Sequence, residues 1–298
     1  MKIFGVFGDP IEHSLSPAMQ NAAFRALGMD ACYHPFRVSR ERLEDAILGA
    51  AAMGFGGLNL TIPLKEKALE IVQPDDLAQA IGAVNTVSFG ISSGSEIRGH
   101  NTDGFGALLA LEGAGVKIRG RGSRVLLIGA GGAARAIAYT LEREGAEISI
   151  ANRSLQRAEE LAGSIGGLGY PLYDLEKLVK ESEVIINATS VGMKKGDPRL
   201  FPGDLLQSSH AVFDIVYNRE TELLKDARAA GALALDGVMM LVYQGAKALE
   251  IWTGQKAPAD VMEKAVREGL KKRAEKEKKA RAAGKTGEDG EMRGAREG

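Results

Sequence analysis

"VLLIGAGGAARA", residues 125–136, is the stretch on which the fold turns. Val125 to Ile128 form an unbroken apolar run, as in a strand covered on both faces, and an alanine-rich helical pattern follows Gly132. Between them, Gly129, Ala130, Gly131, Gly132 and Ala133 make a turn whose backbone N–H groups can approach a pyrophosphate at the helix N-terminus. The last position of the GxGxxG pattern is Ala134, and a tight strand-to-helix turn without a ligand would need the same glycines. The next strand, "EISIANRS" (147–154), supplies the context. An NAD site carries Asp or Glu at the end of that strand to accept a bond from the ribose 2′-hydroxyl. Here the residues are Asn152, Arg153 and Ser154, with Arg157 one helical turn on. These donors suit a 2′-phosphate, so NADP(H) is expected over NAD(H), although Arg153 taken singly reads as a surface arginine.

Downstream, "EVIINATS" (183–190) and "AVFDIV" (211–216) continue the strand series with amphipathic helices between, which predicts a parallel, doubly wound sheet. Upstream, "IFGVFG" (3–8) and "GGLNLTI" (56–62) alternate with the helical patterns "PAMQNAAFRALG" (17–28) and "RERLEDAILGAAAMG" (40–54). The expected fold class is therefore α/β in two α/β domains facing each other across a cleft. "DGFGALLALEGAG" (103–115) reads as a helix capped by Asp103 that carries the chain from one unit to the next. The long helix "VMMLVYQGAKALEIWTG" (238–254) reads as a return to the first unit. The expected division is 1–103 with 238–270 as a discontinuous substrate-binding and catalytic domain, and 104–237 as the Rossmann-like NADP-binding domain. Residues 271–298 contain no Ile, Leu, Val or aromatic side chain and are expected to be a charged tail, a frayed helix running into disorder.

With 298 residues, 45% of them hydrophobic and 26% charged, the chain has the composition of an ordinary globular protein. A net charge of −1 gives no basis for a nucleic-acid or membrane partner, and a small molecule becomes the expected ligand. Cys32 is the single cysteine, and the four histidines lack the spacing of metal ligands, so no metal is expected. The short apolar run of "MKIFGVFGDP" falls below a signal-peptide core, and a cytoplasmic location is expected.

In "HSLSP" (13–17), Ser14 and Ser16 share one side of an extended segment, and Pro17 suits the first turn of a helix. Ser16 reads equally well as an N-cap and as half of a hydroxyl pair holding a carboxylate. In "GLNLTIP" (57–63), Leu58, Leu60 and Ile62 alternate with Asn59 and Thr61, which puts an amide and a hydroxyl on one face. Lys65 follows that face at the start of what reads as a helix after Pro63. There the helix dipole disfavours a cation by about 0.3–1 kcal/mol, so something other than helix stability placed it. The same residue classes recur in "GAVNTV" (82–87) and "GHNTDG" (99–104), bringing in Asn85, Thr86, Asn101, Thr102 and Asp103. Taken singly, Lys65 is a surface lysine, Asp103 an N-cap, and Gln244 a polar residue on a buried helix.

Taken in order, "SLSP", "NLTIPLK", "GAVNT", "GHNTDG", "GAGGAARA", "NRS", "NATSVGM", "DIVYN" and "DGVMMLVYQ" resemble the shikimate dehydrogenase family over about residues 3–270. The resemblance implies reversible reduction of 3-dehydroshikimate to shikimate with NADPH, on the route towards chorismate and the aromatic amino acids. It implies Lys65 and Asp103 as the catalytic pair, and Ser14, Ser16, Asn59, Thr61, Asn85, Tyr217 and Gln244 as substrate ligands. On the cofactor side it implies the turn from Gly129 to Ala133 with Asn152, Arg153 and Arg157, the backbone around Thr189, Ile215 and Gly237, and Asp76. A monomer or homodimer is expected. Alternatives are a quinate/shikimate dehydrogenase of relaxed specificity and a noncatalytic NADPH-binding sensor. Two departures stand out: Arg219 replaces the proline usual after "DxVYN", and the charged C-terminal tail is added.

Overall fold

In the computed structural model, residues 1–90, 96–120 and 122–294 are described, with side chains given as far as residue 276. The first sheet comprises β1 (Lys2–Gly8), β2 (Ala31–Arg37), β3 (Gly57–Leu60), β4 (Gln73–Pro74), β5 (Thr86–Phe89) and β6 (Ile97–His100), in the order β2-β1-β3-β5-β6-β4. Strands β2, β1 and β3 run parallel, whereas β5 is antiparallel to both neighbours. This sheet is therefore mixed, which simple strand–helix alternation does not reveal. Helices α1 (Ser16–Ala26), α2 (Leu43–Ala52) and α3 (Asp76–Ile81) belong to the same unit.

The second sheet comprises β7 (Arg124–Ile128), β8 (Glu147–Asn152), β9 (Leu168–Pro171), β10 (Val184–Asn187), β11 (Ala211–Asp214) and β12 (Leu233–Leu235). Its order is β12-β11-β10-β7-β8-β9 with every pairing parallel. That is the dinucleotide-fold order, with its switch point between β7 and β10. Leu126, Leu127 and Ile128 are fully buried because helices cover both faces, and each such side chain contributes about 1.5–3 kcal/mol.

Helix α4 (Asp103–Gly113) connects the units and packs against both α5 (Gly132–Arg143) and α9 (Val238–Thr253). The packing is close enough that a Cβ on Gly106 would lie 2.7 Å from the Met240 carbonyl oxygen. Helices α6 (Leu155–Ser164), α7 (Leu175–Glu181) and α8 (Glu222–Ala229) complete the second unit. After it, Val238, Val242, Ala246 and Leu249 of α9 and Met262 and Val266 of α10 (Ala259–Gly294) join Phe4, Val6, Met19 and Phe24 in one core. The C-terminal segment is thereby built into the first unit.

Two local expectations differ from the structure. The helix expected directly after Pro63 is a turn followed by a short 3₁₀ helix, Lys67–Glu70, because the Lys65 carbonyl accepts from Val84 N (2.9 Å) and is withdrawn from a helical ladder. The dipole penalty assigned to Lys65 lapses accordingly. Asp103 is the first residue of α4 rather than its cap, which is Thr102, and Leu15 rather than Ser16 caps α1. Helix α10 continues past residue 271 to Gly294, in keeping with the Ala, Glu, Lys and Arg that dominate "KKRAEKEKKARAA". Residues 295–298 lie outside the described residues.

Candidate active site

Strand β3 ends in a turn pinned by Leu64, which is fully buried and donates from its N–H to the Thr61 carbonyl (2.8 Å). Burial of Leu64 sends the neighbouring Lys65 side chain the other way, towards the second unit. A Cβ on Gly132 would lie 3.7 Å from Lys65 Cδ, so the lysine stem passes along the N-terminus of α5. Its Nζ lies 2.5 Å from Asp103 Oδ2, with the two side chains 17% and 7% exposed. A pair so nearly dry is weak evidence for stability, since desolvation offsets most of the attraction.

Asp103 is aimed by its neighbours. Asn85 Nδ2 donates to Asp103 Oδ1 (2.8 Å), and the Asp103 N–H donates to Asn101 Oδ1 (3.0 Å). Asn101 is itself held by donation to the Ala83 carbonyl (2.8 Å), and Asn85 Oδ1 accepts from Thr102 N (2.9 Å). The recurrent Asn-Thr residues thus form the frame of the carboxylate. Asn59 belongs to the same frame: it donates to the Asn85 carbonyl and Thr86 Oγ1, and it accepts from the Tyr33 hydroxyl at 2.7 Å. Burial pushes the Tyr33 phenol well above its ordinary range, which keeps it a donor. No motif marks Tyr33 in the sequence, where "ACYHPFR" looks like plain core.

Around this pair, Thr61 is half-buried at the end of β3. Ser14 Oγ accepts from Ser16 N (3.2 Å), which leaves its own proton free, and the hydroxyl of buried Ser16 has no hydrogen-bond partner among the described residues. Gln244, on α9, donates from Nε2 to the Leu241 carbonyl (2.8 Å), and its Oε1 is uncommitted among the described residues. Tyr217, from the loop after β11, packs against the core of the first unit. Burial raises its phenol, and the charge of Arg273 lowers it in part.

On the other side, Gly129 adopts φ +119°, and a Cβ there would lie 2.9 Å from the Ala188 carbonyl oxygen. Gly131 caps α5, and a Cβ on it would meet nothing within 4 Å, so the N–H end of the helix is open above Gly132 and Ala133. Ala130 is buried below. At the end of β8, Asn152 donates to the Ser154 carbonyl, and Ser154 caps α6 by accepting from Arg157 N. Arg153 and Arg157 are exposed; Arg153 has no ion pair among the described residues, and Arg157 reaches Glu66 at 4.0 Å across the units. An open helix N-terminus flanked by two exposed guanidinium groups fits a dinucleotide with a 2′-phosphate. Asp76 is exposed at the start of α3 and its carboxylate accepts no hydrogen bond among the described residues.

The loops after β10 and β11 share one buried carboxylate. Asp214 accepts from Asn187 Nδ2 (2.9 Å), Val216 N (3.0 Å) and Thr221 Oγ1 (2.7 Å), and burial raises its carboxyl against the pull of those bonds. Asn187 in turn accepts from the N–H and hydroxyl of Thr189. Thr189 and Ile215 are therefore set by a single network, while Gly237 abuts the Ile215 carbonyl at the start of α9. The strings "NATS" and "DIVYN" contain both partners, but nothing in their spacing shows that Asn187 and Asp214 meet.

Three family models match the chain: the shikimate dehydrogenase substrate binding domain over residues 6–87, shikimate / quinate 5-dehydrogenase over 114–195, and the shikimate 5′-dehydrogenase C-terminal domain over 237–267. A shikimate dehydrogenase (NADP(+)) of Methanothrix thermoacetophila is 63% identical over 270 residues, covering 91% of this chain and 98% of that protein. The crystal structure of shikimate dehydrogenase from Aquifex aeolicus superposes with a TM-score of 0.84 at 40% identity, covering 90% of this chain and 98% of the other. That of Thermus thermophilus shikimate 5-dehydrogenase in complex with NADP(H) and shikimate gives 0.82 at 37% identity, covering 90% and 100%.

Proposed function

The chain belongs to the shikimate dehydrogenase family, and from that premise we propose that Lys65 and Asp103 carry the proton in its reaction. The protein is an NADP-dependent oxidoreductase that interconverts 3-dehydroshikimate and shikimate, in the pathway towards chorismate and the aromatic amino acids. When bound, NADPH supplies the hydride that reaches the ketone carbon of 3-dehydroshikimate.

What the chain itself must supply is a proton for the carbonyl oxygen and compensation for the charge that gathers there. Lys65 Nζ, paired with Asp103, stands with little water around it beside the open end of α5. It donates its proton to the developing alkoxide and stabilises that charge. Asp103, fixed by Asn85 and Asn101, keeps the ammonium oriented and compensates its charge. In the oxidation of shikimate, neutral Lys65 takes the hydroxyl proton.

The uncommitted hydroxyls of Ser14 and Ser16 suit the substrate carboxylate, with Thr61, Asn85, Tyr217 and Gln244 for the ring hydroxyls and Asn59 as the support of Asn85. The turn from Gly129 to Ala133 would hold the pyrophosphate, and Asn152, Arg153, Ser154 and Arg157 the 2′-phosphate. Thr189, Ile215 and Gly237 would flank the nicotinamide, with Asp76 at the edge of the site. We take 1–103 with 238–270 as the substrate unit and 104–237 as the cofactor unit. Among the described residues no helix is long and apolar enough to cross a membrane. A single cysteine suits a reducing compartment, so we take the enzyme to be cytoplasmic, and to act as monomer or homodimer.

The Lys65–Asp103 contact at the mouth of the glycine turn carries this reading. Its test is a two-by-two assay of shikimate and quinate against NADP+ and NAD+. Shikimate with NADP+ should give the highest kcat/KM; activity confined to quinate with NAD+, or tight NADPH binding without turnover, would overturn it.

A further inference from the structure

We propose that Arg273, beyond the stretch matched by the C-terminal family model, is a positioning residue for the anion site formed by Ser14 and Ser16. The inference rests on the reading of that serine pair as the carboxylate subsite. Helix α10 packs along α1, which brings residue 273 back to the loop that opens α1. There its Nη1 donates to the His13 carbonyl (2.6 Å) and its Nη2 to the Ser14 carbonyl (3.1 Å).

This pairing differs from the ordinary surface arginines of the molecule. Arg199, for example, pairs with the Asp226 carboxylate. Arg273 instead spends its fork on two consecutive backbone carbonyls, a task that a planar guanidinium performs and a point-like ammonium does not. The consequence is electrostatic as well as geometric. Carbonyl oxygens beside an anion site repel the anion, and occupying both with charged donors removes that repulsion while adding a positive charge to the loop. The serine side chains are left with their protons to give, since Ser14 Oγ accepts from Ser16 N and the Ser16 hydroxyl has no partner among the described residues. The same guanidinium acts on Tyr217, partly offsetting the rise that burial imposes on its phenol. One arginine thus couples the serine loop to a second expected substrate ligand, which comes from the other unit.

The test uses the full chain as wild type, Arg273→Ala, Arg273→Gln and Arg273→Lys, assayed at saturating NADP+ with shikimate and with its uncharged methyl ester, and with NADP+ varied at saturating shikimate. The ester is read as a substrate, or as a competitive inhibitor if its turnover is slow. Arg273→Ala should raise the KM for shikimate about tenfold or more, the scale of one charge-assisted hydrogen bond. The kcat should stay within about threefold and the KM for NADP+ should be unchanged, on the reasoning that uniform binding alone is lost. The ester should be affected much less, so that the preference for carboxylate over ester falls; Arg273→Gln should behave like Arg273→Ala, and Arg273→Lys should recover part of the preference. Should Arg273→Ala fold poorly, the Gln and Lys variants read the same ratio. The proposal is overturned if the variants leave the shikimate KM as in wild type, or if acid and ester weaken equally, which is loop packing alone. Wild type that turns over shikimate beside such variants removes only this proposal; wild type inert towards shikimate removes the site assignment with it.

Discussion

An ammonium held against a carboxylate can still serve a third partner, provided that partner gains negative charge as the reaction proceeds. Lys65 has this position: Asp103 Oδ2 takes one of its three donors, which leaves two for a ligand, and its stem lies beside Gly132. Replacing Lys65 by Ala should lower kcat by about 10² or more, the usual scale for a lost general acid, with a modest change in the shikimate KM. Steady-state rates in both directions would show it, and a variant within about fivefold of wild-type turnover would contradict the role on that same scale. Taken singly, Lys65 and Asp103 read as a surface lysine and an N-cap, and in the sequence they were picked out together by the resemblance. Tyr33 was not, because its part in the site consists of one hydrogen bond to Asn59, formed between strands far apart in the chain.

At the scale of the element, the turn between β7 and α5 depends on backbone geometry that a side chain would spoil. Gly129 combines a positive φ with close approach to the Ala188 carbonyl, so Gly129→Ala meets strain and overlap together. Such strain costs on the order of 1–3 kcal/mol. Denaturant unfolding should register that loss, and NADPH titration of the folded variant should show weakened binding. Unchanged stability with unchanged NADPH affinity would contradict this account of the turn. Strand, turn and helix were readable here because each has its own local signature. The segment after Pro63 was misleading because its outcome depends on a non-local bond, Val84 N to the Lys65 carbonyl, which no local pattern contains.

For the molecule as a whole, pH acts on stability through groups remote from the cleft as well as on the reaction. His210 is buried before β11, accepts from Gln207 N at Nδ1, and has its pKa lowered by burial. Below the unfolded value near 6.5 the unfolded chain takes up a proton that the folded chain refuses. Stability should therefore be fully present above that pH and fall as pH drops from there towards the lowered folded value. Thermal unfolding across this window should show the decline, and His210→Gln should flatten it; an identical slope in the variant would rule His210 out as its source. The sequence by itself determined the two α/β units, the nucleotide turn and the polar character of the ligand set, because strand and helix periodicity, glycine turns and charge are properties of neighbouring residues. Tertiary structure alone decided that β5 runs antiparallel, that Asn187 meets Asp214, that Arg273 returns to the serine loop, and that Lys65 reaches Asp103 beside α5. Each of these joins residues far apart in the chain, and such contacts form only when the packing of buried faces brings them together.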